Sequence, residues 1–162
     1  MAIVLARVDN RLIHGQVLEA WVPFVQADCL VVVDDVVAQD PFRKHLMIAV
    51  VPGELTVEVC SHAEVAQLCH NSAMMAKNVI VLFSTPHDAL QAFRDGMHFP
   101  SLNLGNMHAE EGKRCISRTL FIDVNDQENL NTLSGLGVTI SAQCIPSDRA
   151  LLWDCQDEEL KG

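Results

Sequence analysis

From Arg7 to Val17 the chain reads RVDNRLIHGQV, which brings Asp9, Asn10, Arg11, His14, Gly15 and Gln16 close together. An imidazole titrates near neutral pH, so His14 can act as a nucleophile or a proton shuttle. Arg11 offers a rigid fork of donors suited to phosphoryl oxygens. Asp9 can accept a proton from an imidazole nitrogen or from Arg11 and so fix its orientation. Gly15 lets backbone approach closely. The amides of Gly15, Gln16 and Val17 fall at a helix start, where anions are favoured. Nucleophile, cation and oxyanion donors are together the parts of a phosphohistidine site. The same residue types also suit a surface or capping histidine beside a structural Arg11–Asp9 ion pair, and residue types alone leave both readings open.

The elements that must position this segment can be read from the hydrophobic pattern. Ala2–Val8, Cys29–Val33, Thr56–Cys60, residues 79–83, Ser101–Leu104, residues 117–122 and residues 138–142 are short apolar runs expected as strands. Helical spacing occupies residues 15–25, 40–50, 61–69, 85–96 and 126–133, with Asp40-Pro41, Ser61/Glu64 and Thr85-Pro86 as starts and Gly96 and Gly135 as stops. Strands alternating with helices predict an α/β fold. The expected form is an open, mainly parallel sheet of about seven strands, with helices on both faces and room for an antiparallel edge. In such sheets sites form beyond the carboxyl ends of the strands. That singles out the loops at 9–14, 34–39, 84–87, 105–109 and 143–148.

A chain of 162 residues suits one domain over residues 1–162, and 49% hydrophobic residues can fill its core. Aromatics are only 5%, so the core is expected to be aliphatic. The net charge of −10 argues against nucleic acid and against an anionic membrane surface. It leaves room for a local basic pocket. Cys29, Cys60, Cys69, Cys115, Cys144 and Cys155 form no C-x-x-C pair, which removes the spacing argument for zinc or a redox motif. No histidine and carboxylate set has clear metal spacing. Met1 leads directly into a short apolar run and then charges, so no signal peptide is expected. No apolar stretch nears the ~20 residues that span a bilayer. A reducing cytoplasm fits these features.

RVDNRLIHGQV resembles the signature R-[IV]-D-D-R-L-I-H-G-Q-V of the IIB components of the mannose/fructose/sorbose class of the bacterial sugar phosphotransferase system. Trp21 stands where that family has a tryptophan. Residues 31–47 (VVVDDVVAQDPFRKHLM), 102–117 (LNLGNMHAEEGKRCIS) and 137–148, ending in QCIPSD, resemble later family segments in order, so the likeness covers nearly the whole chain. It implies that His14 accepts a phosphoryl group on Nδ1 from a phosphohistidine of a IIA partner. His14 then donates that group to a sugar held by a IIC/IID membrane permease. Arg11 and Asp9 would assist, and no cofactor or metal is implied. The identity of the sugar and any homo-oligomer stay open.

Two positions depart from the family pattern: Asn10 replaces its second Asp, and Asn106 replaces the second glycine of Gly-Gly-Met. Asn10 keeps a hydrogen-bonding group without the charge, and Asn106 is expected to tolerate a left-handed backbone. Asn10, Gly15, Gln16, Ser84 and Thr85 are candidates to bind phosphate, although Ser84 and Thr85 also suit helix capping. Asp35, Asn106 and His108 are candidate loop contacts. The other histidines read as capping or solvated groups, and residues 157–159 as a solvated acidic end. The alternatives to sugar transport are a regulatory phosphocarrier without a permease and a histidine-dependent phosphohydrolase.

Overall fold

Among the described residues, six of the apolar runs and two further strands pair into one sheet of eight strands. In the computed structural model, which describes residues 1–154 and the strand Glu159–Lys161, the strands are β1 (Ala2–Val8), β2 (Cys29–Val33), β3 (Thr56–Cys60), β4 (Asn78–Phe83), β5 (Ser101–Leu104), β6 (Arg114–Ser117), β7 (Leu120–Ile122), β8 (Thr139–Ala142), β9 (Leu151–Asp154) and β10 (Glu159–Lys161). Their order in the main sheet is β10-β9-β8-β5-β1-β4-β2-β3. The pairs from β8 to β3 are parallel, and β9 and β10 add an antiparallel edge. Residues 117–122 were expected as one strand of this sheet. They belong instead to the separate β6–β7 hairpin, because the chain reverses at Arg118-Thr119. The edge strands β9 and β10 have no counterpart among the expected runs. Cys155, Asp157 and Glu158 lie outside the described residues.

β2 shows why the sheet is central: CLVVV is rich in β-branched residues and every side chain is buried, as a strand covered on both faces requires. Its side chains alternate between two cores. Val31 and Val33 join Val79, Val81 and Phe83 on one face; Leu30 and Val32 join Ile80 and Leu82 on the other. The first core is covered by α4 (Val65–Cys69), α5 (Pro86–Arg94) and α6 (Val124–Gly135). The second is covered by the helix that follows β1 and by α2 (Asp35–Gln39) and α3 (Pro41–Ala49). The helices therefore flank the sheet on both faces.

Side-chain caps set the helix starts. Asp34 accepts from the Val37 amide, Asp40 from Phe42 and Arg43, Thr85 from Asp88, and Asp123 from Asp126. The expected start of α6 near residue 126 moves to Val124, since Asp123 and Asp126 form the capping box. Gly135 ends inside that helix, and Gly137, at φ +93°, makes the left-handed turn instead. The helix after β1 is not regular. Gln16–Trp21 is wound as a π-helix and only Val22–Val25 (α1) is α-helical. Pro23, which has no amide hydrogen, follows the wide turn, and π-winding recurs at functional sites.

The connections leaving β1 and β2 run one way over the second core. Those leaving β3, β4 and β5 return over the first. The adjacent strands β1 and β5 thus send their chains apart on opposite faces, which opens a crevice at their carboxyl ends. Residues 9–14 and 105–109 meet there.

Candidate functional site

The crevice is built around a buried ion pair. Arg7 sits in an otherwise apolar strand and is wholly buried, as is Asp9 two residues on. Arg7 donates to Asp9 Oδ2 through Nε (3.2 Å) and Nη2 (2.9 Å), to the Gln143 carbonyl through Nη1 (2.9 Å) and to the Asn103 side chain. Its guanidinium lies 5.5 Å from the centre of the Trp21 ring, and Trp21 Nε1 donates to the Cys144 carbonyl at 2.9 Å. Gly105 makes this packing feasible, because a Cβ there would fall 2.0 Å from Arg7 Nη2. Burial pulls the Arg7 pKa below its ordinary value, and the Asp9 carboxylate opposes that pull.

Asp9 Oδ2 also accepts from Asn106 Nδ2 at 3.0 Å and from His14 Nε2 at 2.9 Å, while Oδ1 accepts from the Arg11 amide at 3.1 Å. Burial alone would push the Asp9 carboxyl up. The His14 hydrogen bond, the Arg7 charge and the Asn106 amide outweigh burial and hold it below the usual carboxylate range. An ionised carboxylate can only accept, so His14 Nε2 is the donor in this contact, and in a neutral ring the lone pair then falls on Nδ1. The His14 side chain retains 12% exposure, an accessible edge on a fixed ring.

The loop that carries His14 is strained and tightly tied. Leu12 has φ +55°, rare for a side chain with a Cβ, and is held by its amide's bond to the Asp9 carbonyl (2.9 Å) and by burial in the second core. The His14 carbonyl accepts from the Val17 and Leu18 amides at 3.0 and 3.1 Å, so the Val17 amide expected to face an anion is already used. Asn10 bridges neighbouring loops: its amide group donates to the Ser84 carbonyl at 3.1 Å, and its side-chain oxygen accepts from the His108 amide.

A profile of the PTS system sorbose subfamily IIB component matches residues 3–159. The chain belongs to this family. It is 36% identical over 149 residues to the N-acetylgalactosamine-specific phosphotransferase enzyme IIB component 2 of Escherichia coli, covering 92% of this chain and 94% of that one. It is 34% identical over 148 residues to the fructose-specific EIIB component of Bacillus subtilis, covering 91% of each. The crystal structure of the IIBSor domain of the sorbose permease from Klebsiella pneumoniae superposes with a TM-score of 0.88 at 32% identity, covering 93% of each chain. IIB components are phosphotransferases of a sugar uptake system, and that class of activity comes with membership.

In this IIB chain the structure brings Asp9, Asn10, Arg11, His14 and Asn106 together. The Arg11–Asp9 ion pair that the residue types allowed does not form, and Asp9 pairs with Arg7. Arg11 reaches Asp9 through its backbone amide, and its exposed guanidinium donates to Gln16 Oε1 at 3.3 Å. Gly15 has an ordinary helical φ of −50°, and the close backbone approach falls at Gly105. Asn106 is absent from the positive-φ residues, so its left-handed role is withdrawn; its side chain serves Asp9. His108 contributes its backbone amide, and its side chain is exposed. The Thr85 hydroxyl donates to Asp88 in the α5 cap (2.7 Å), and Ser84 donates to Asp34. Asp35 lies apart from the Asp9 network and accepts from the His62 amide at 2.8 Å. No described helix is long and apolar enough to cross a membrane, and no group of three or more described His, Cys, Asp and Glu residues is placed to hold a metal.

Arg7, Asn103, Trp21 and Gln143 were not among the sequence-derived site residues. A signal for the first was present, since a cation inside AIVLARV must be buried with a counter-charge and Asp9 shares its face of the strand. Asn103 sits in the same position in SLNL. Gln143 acts through its carbonyl, which side-chain chemistry does not announce.

Proposed function

We propose that this chain, as one domain over residues 1–162, is a cytoplasmic phosphocarrier that takes a phosphoryl group from a IIA phosphohistidine onto Nδ1 of His14. It then passes the group to a sugar in a IIC/IID permease. The observation that carries this reading is the 2.9 Å contact between His14 Nε2 and the buried Asp9 carboxylate. It supports the neutral tautomer with its lone pair on the outer nitrogen. The Nδ1 lone pair attacks phosphorus in line as the bond to the donor imidazole nitrogen breaks. Phosphorylation makes the ring cationic, and Asp9 balances that charge from the opposite edge. The Arg11 guanidinium, anchored among the described residues only to Gln16, can turn onto the phosphoryl oxygens. Return of the group to a sugar hydroxyl restores the neutral ring.

The relatives named for fructose, sorbose, mannose and N-acetylgalactosamine support a sugar as the final acceptor. The mannose-specific EIIAB component of Escherichia coli, of which this chain spans 47%, supports a IIA protein as the donor. The test is incubation with the upstream phosphotransfer proteins and phosphoenolpyruvate. An acid-labile, base-stable adduct on His14 is expected, and label retained by His14→Ala would refute the assignment.

A further inference from the structure

Beside the His14 network, an open cavity of about 420 Å³ lies between the turn of the β6–β7 hairpin and the segment that follows β8. Arg118 and Arg149 both line it, and among the described residues neither makes a hydrogen bond or an ion pair. In a chain of net charge −10, two unneutralised guanidiniums on one depression mark a place for an anion. Asp148 also lines the cavity, with its carboxylate accepting from the Ile145 amide at 3.2 Å in its own turn. The hydroxyls of Ser117 and Thr119 add polar groups, and Ala142 and Leu151 supply apolar wall. The rim is held in shape. Gln143 Nε2 donates to the carbonyls of Pro146 (3.0 Å) and Asp148 (2.8 Å), and the Thr119 hydroxyl lies 3.4 Å from Cys144 Sγ.

We propose that this cavity binds the phosphate monoester of a sugar, the product class of the reaction proposed above, on which this inference rests. Two arginine forks suit a dianionic phosphate, and the volume falls within the ~300–1,000 Å³ of small-molecule sites. The mixed wall suits a hydroxylated carbon skeleton better than a bare ion. The cavity is coupled to the nucleophile. Gln143 and Cys144 line it; the Gln143 carbonyl accepts from Arg7, which pairs with the Asp9 that His14 contacts, and the Cys144 carbonyl accepts from Trp21, whose ring lies against Arg7. The Thr119 carbonyl accepts from the Met107 amide (2.8 Å), next to Asn106. A bound dianion lowers the local potential beside His14 and so opposes the arrival of a phosphorylated donor. Rephosphorylation therefore slows when product accumulates.

The test is an NMR titration of the purified full chain with a hexose 6-phosphate, the free hexose and inorganic phosphate, each in its own arm. Expected are shifts at residues 117–119 and 143–149 with the ester, none with the free hexose, and binding of inorganic phosphate at least about tenfold weaker. Arg118→Ala and Arg149→Ala should each weaken the ester about tenfold, the loss of a charged hydrogen bond. His14→Ala should bind it as the parent does, which separates this site from an anion held at the nucleophile. The ester should also slow labelling of His14 in the parent and leave the double arginine variant unaffected. Ester binding that survives the double variant, or that vanishes in His14→Ala, overturns the site. Inorganic phosphate binding as tightly as the ester overturns the ligand class. Failure of His14 to take label in the absence of ester counts against the carrier reading alone, because the titration does not depend on phosphotransfer.

Discussion

Replacing Asp9 by Asn separates the two tasks of its carboxylate. The amide keeps the volume and removes the charge, so Arg7 remains wholly buried among neutral acceptors, the oxygens of Asn103 and Gln143 that it already contacts and the new side-chain amide oxygen. Removing one partner of a buried ion pair costs about 3–5 kcal/mol, because the remaining charge is left uncompensated. Domains are typically held by roughly 5–15 kcal/mol, so the variant should fold but with a markedly lower urea midpoint and an unchanged m value. Adding Arg7→Met removes the stranded cation. The double variant should recover about 1–3 kcal/mol over Asp9→Asn alone. The second task is tautomer control. Without a carboxylate acceptor the His14 proton can move to Nδ1 and block the nucleophilic lone pair, a change that costs up to ~10⁴-fold where tautomer control has been isolated. Unfolding followed by circular dichroism and His14 labelling followed by rapid quench read the two tasks independently. An Asp9→Asn midpoint within about 1 kcal/mol of the parent, or simple additivity in the double variant, would refute the charge argument. Parent-like labelling of the folded single variant would refute the tautomer argument.

Further outcomes follow from the same geometry. Arg11→Ala should slow phosphotransfer about 10²–10³-fold, the effect of one lost oxyanion donor, with no change in urea midpoint, since the side chain is exposed; Arg11→Lys should recover part of the rate. Gly105→Ala forces the Arg7 guanidinium to move, so it should destabilise by about 1–3 kcal/mol and slow His14 labelling together. The Asp9 carboxyl is held below the usual range, so its contribution to stability is present above the unfolded value near ~3.9 and is lost as pH falls through the folded value. Unfolding measured down to about pH 3 should show a loss of stability that Asp9→Asn reduces. Asn106→Ala removes a donor from Asp9 and should raise the carboxyl pKa seen by NMR.

How much of the site can be read from the chain depends on whether a residue acts through its type or through its surroundings. The alternation of apolar runs and helical spacing was enough for a mainly parallel sheet, because burial on both faces leaves a local trace in segments such as CLVVV. The hairpin at residues 114–122 and the edge strands left weaker traces, since each strand has only three or four residues, too few to show a clear alternation. Residue types alone left a catalytic and a structural reading open, but that His14, Asp9 and Arg11 share one loop after β1 was legible from their spacing. The division of labour between the arginines was not. Periodicity puts Arg7 and Asp9 on one face of β1, but only the third dimension shows that Gly105 leaves the space for that guanidinium and that Gln143 and Asn103 receive it. Arg7 therefore forms the buried ion pair with Asp9 that the sequence had allowed for Arg11, and Arg11 keeps a solvent-exposed, weakly anchored charge. For the proposed carrier role this split would be apt: one cation holds the Asp9 carboxylate that His14 contacts, and the other would be available to meet a phosphoryl group as it arrives and release it as it leaves.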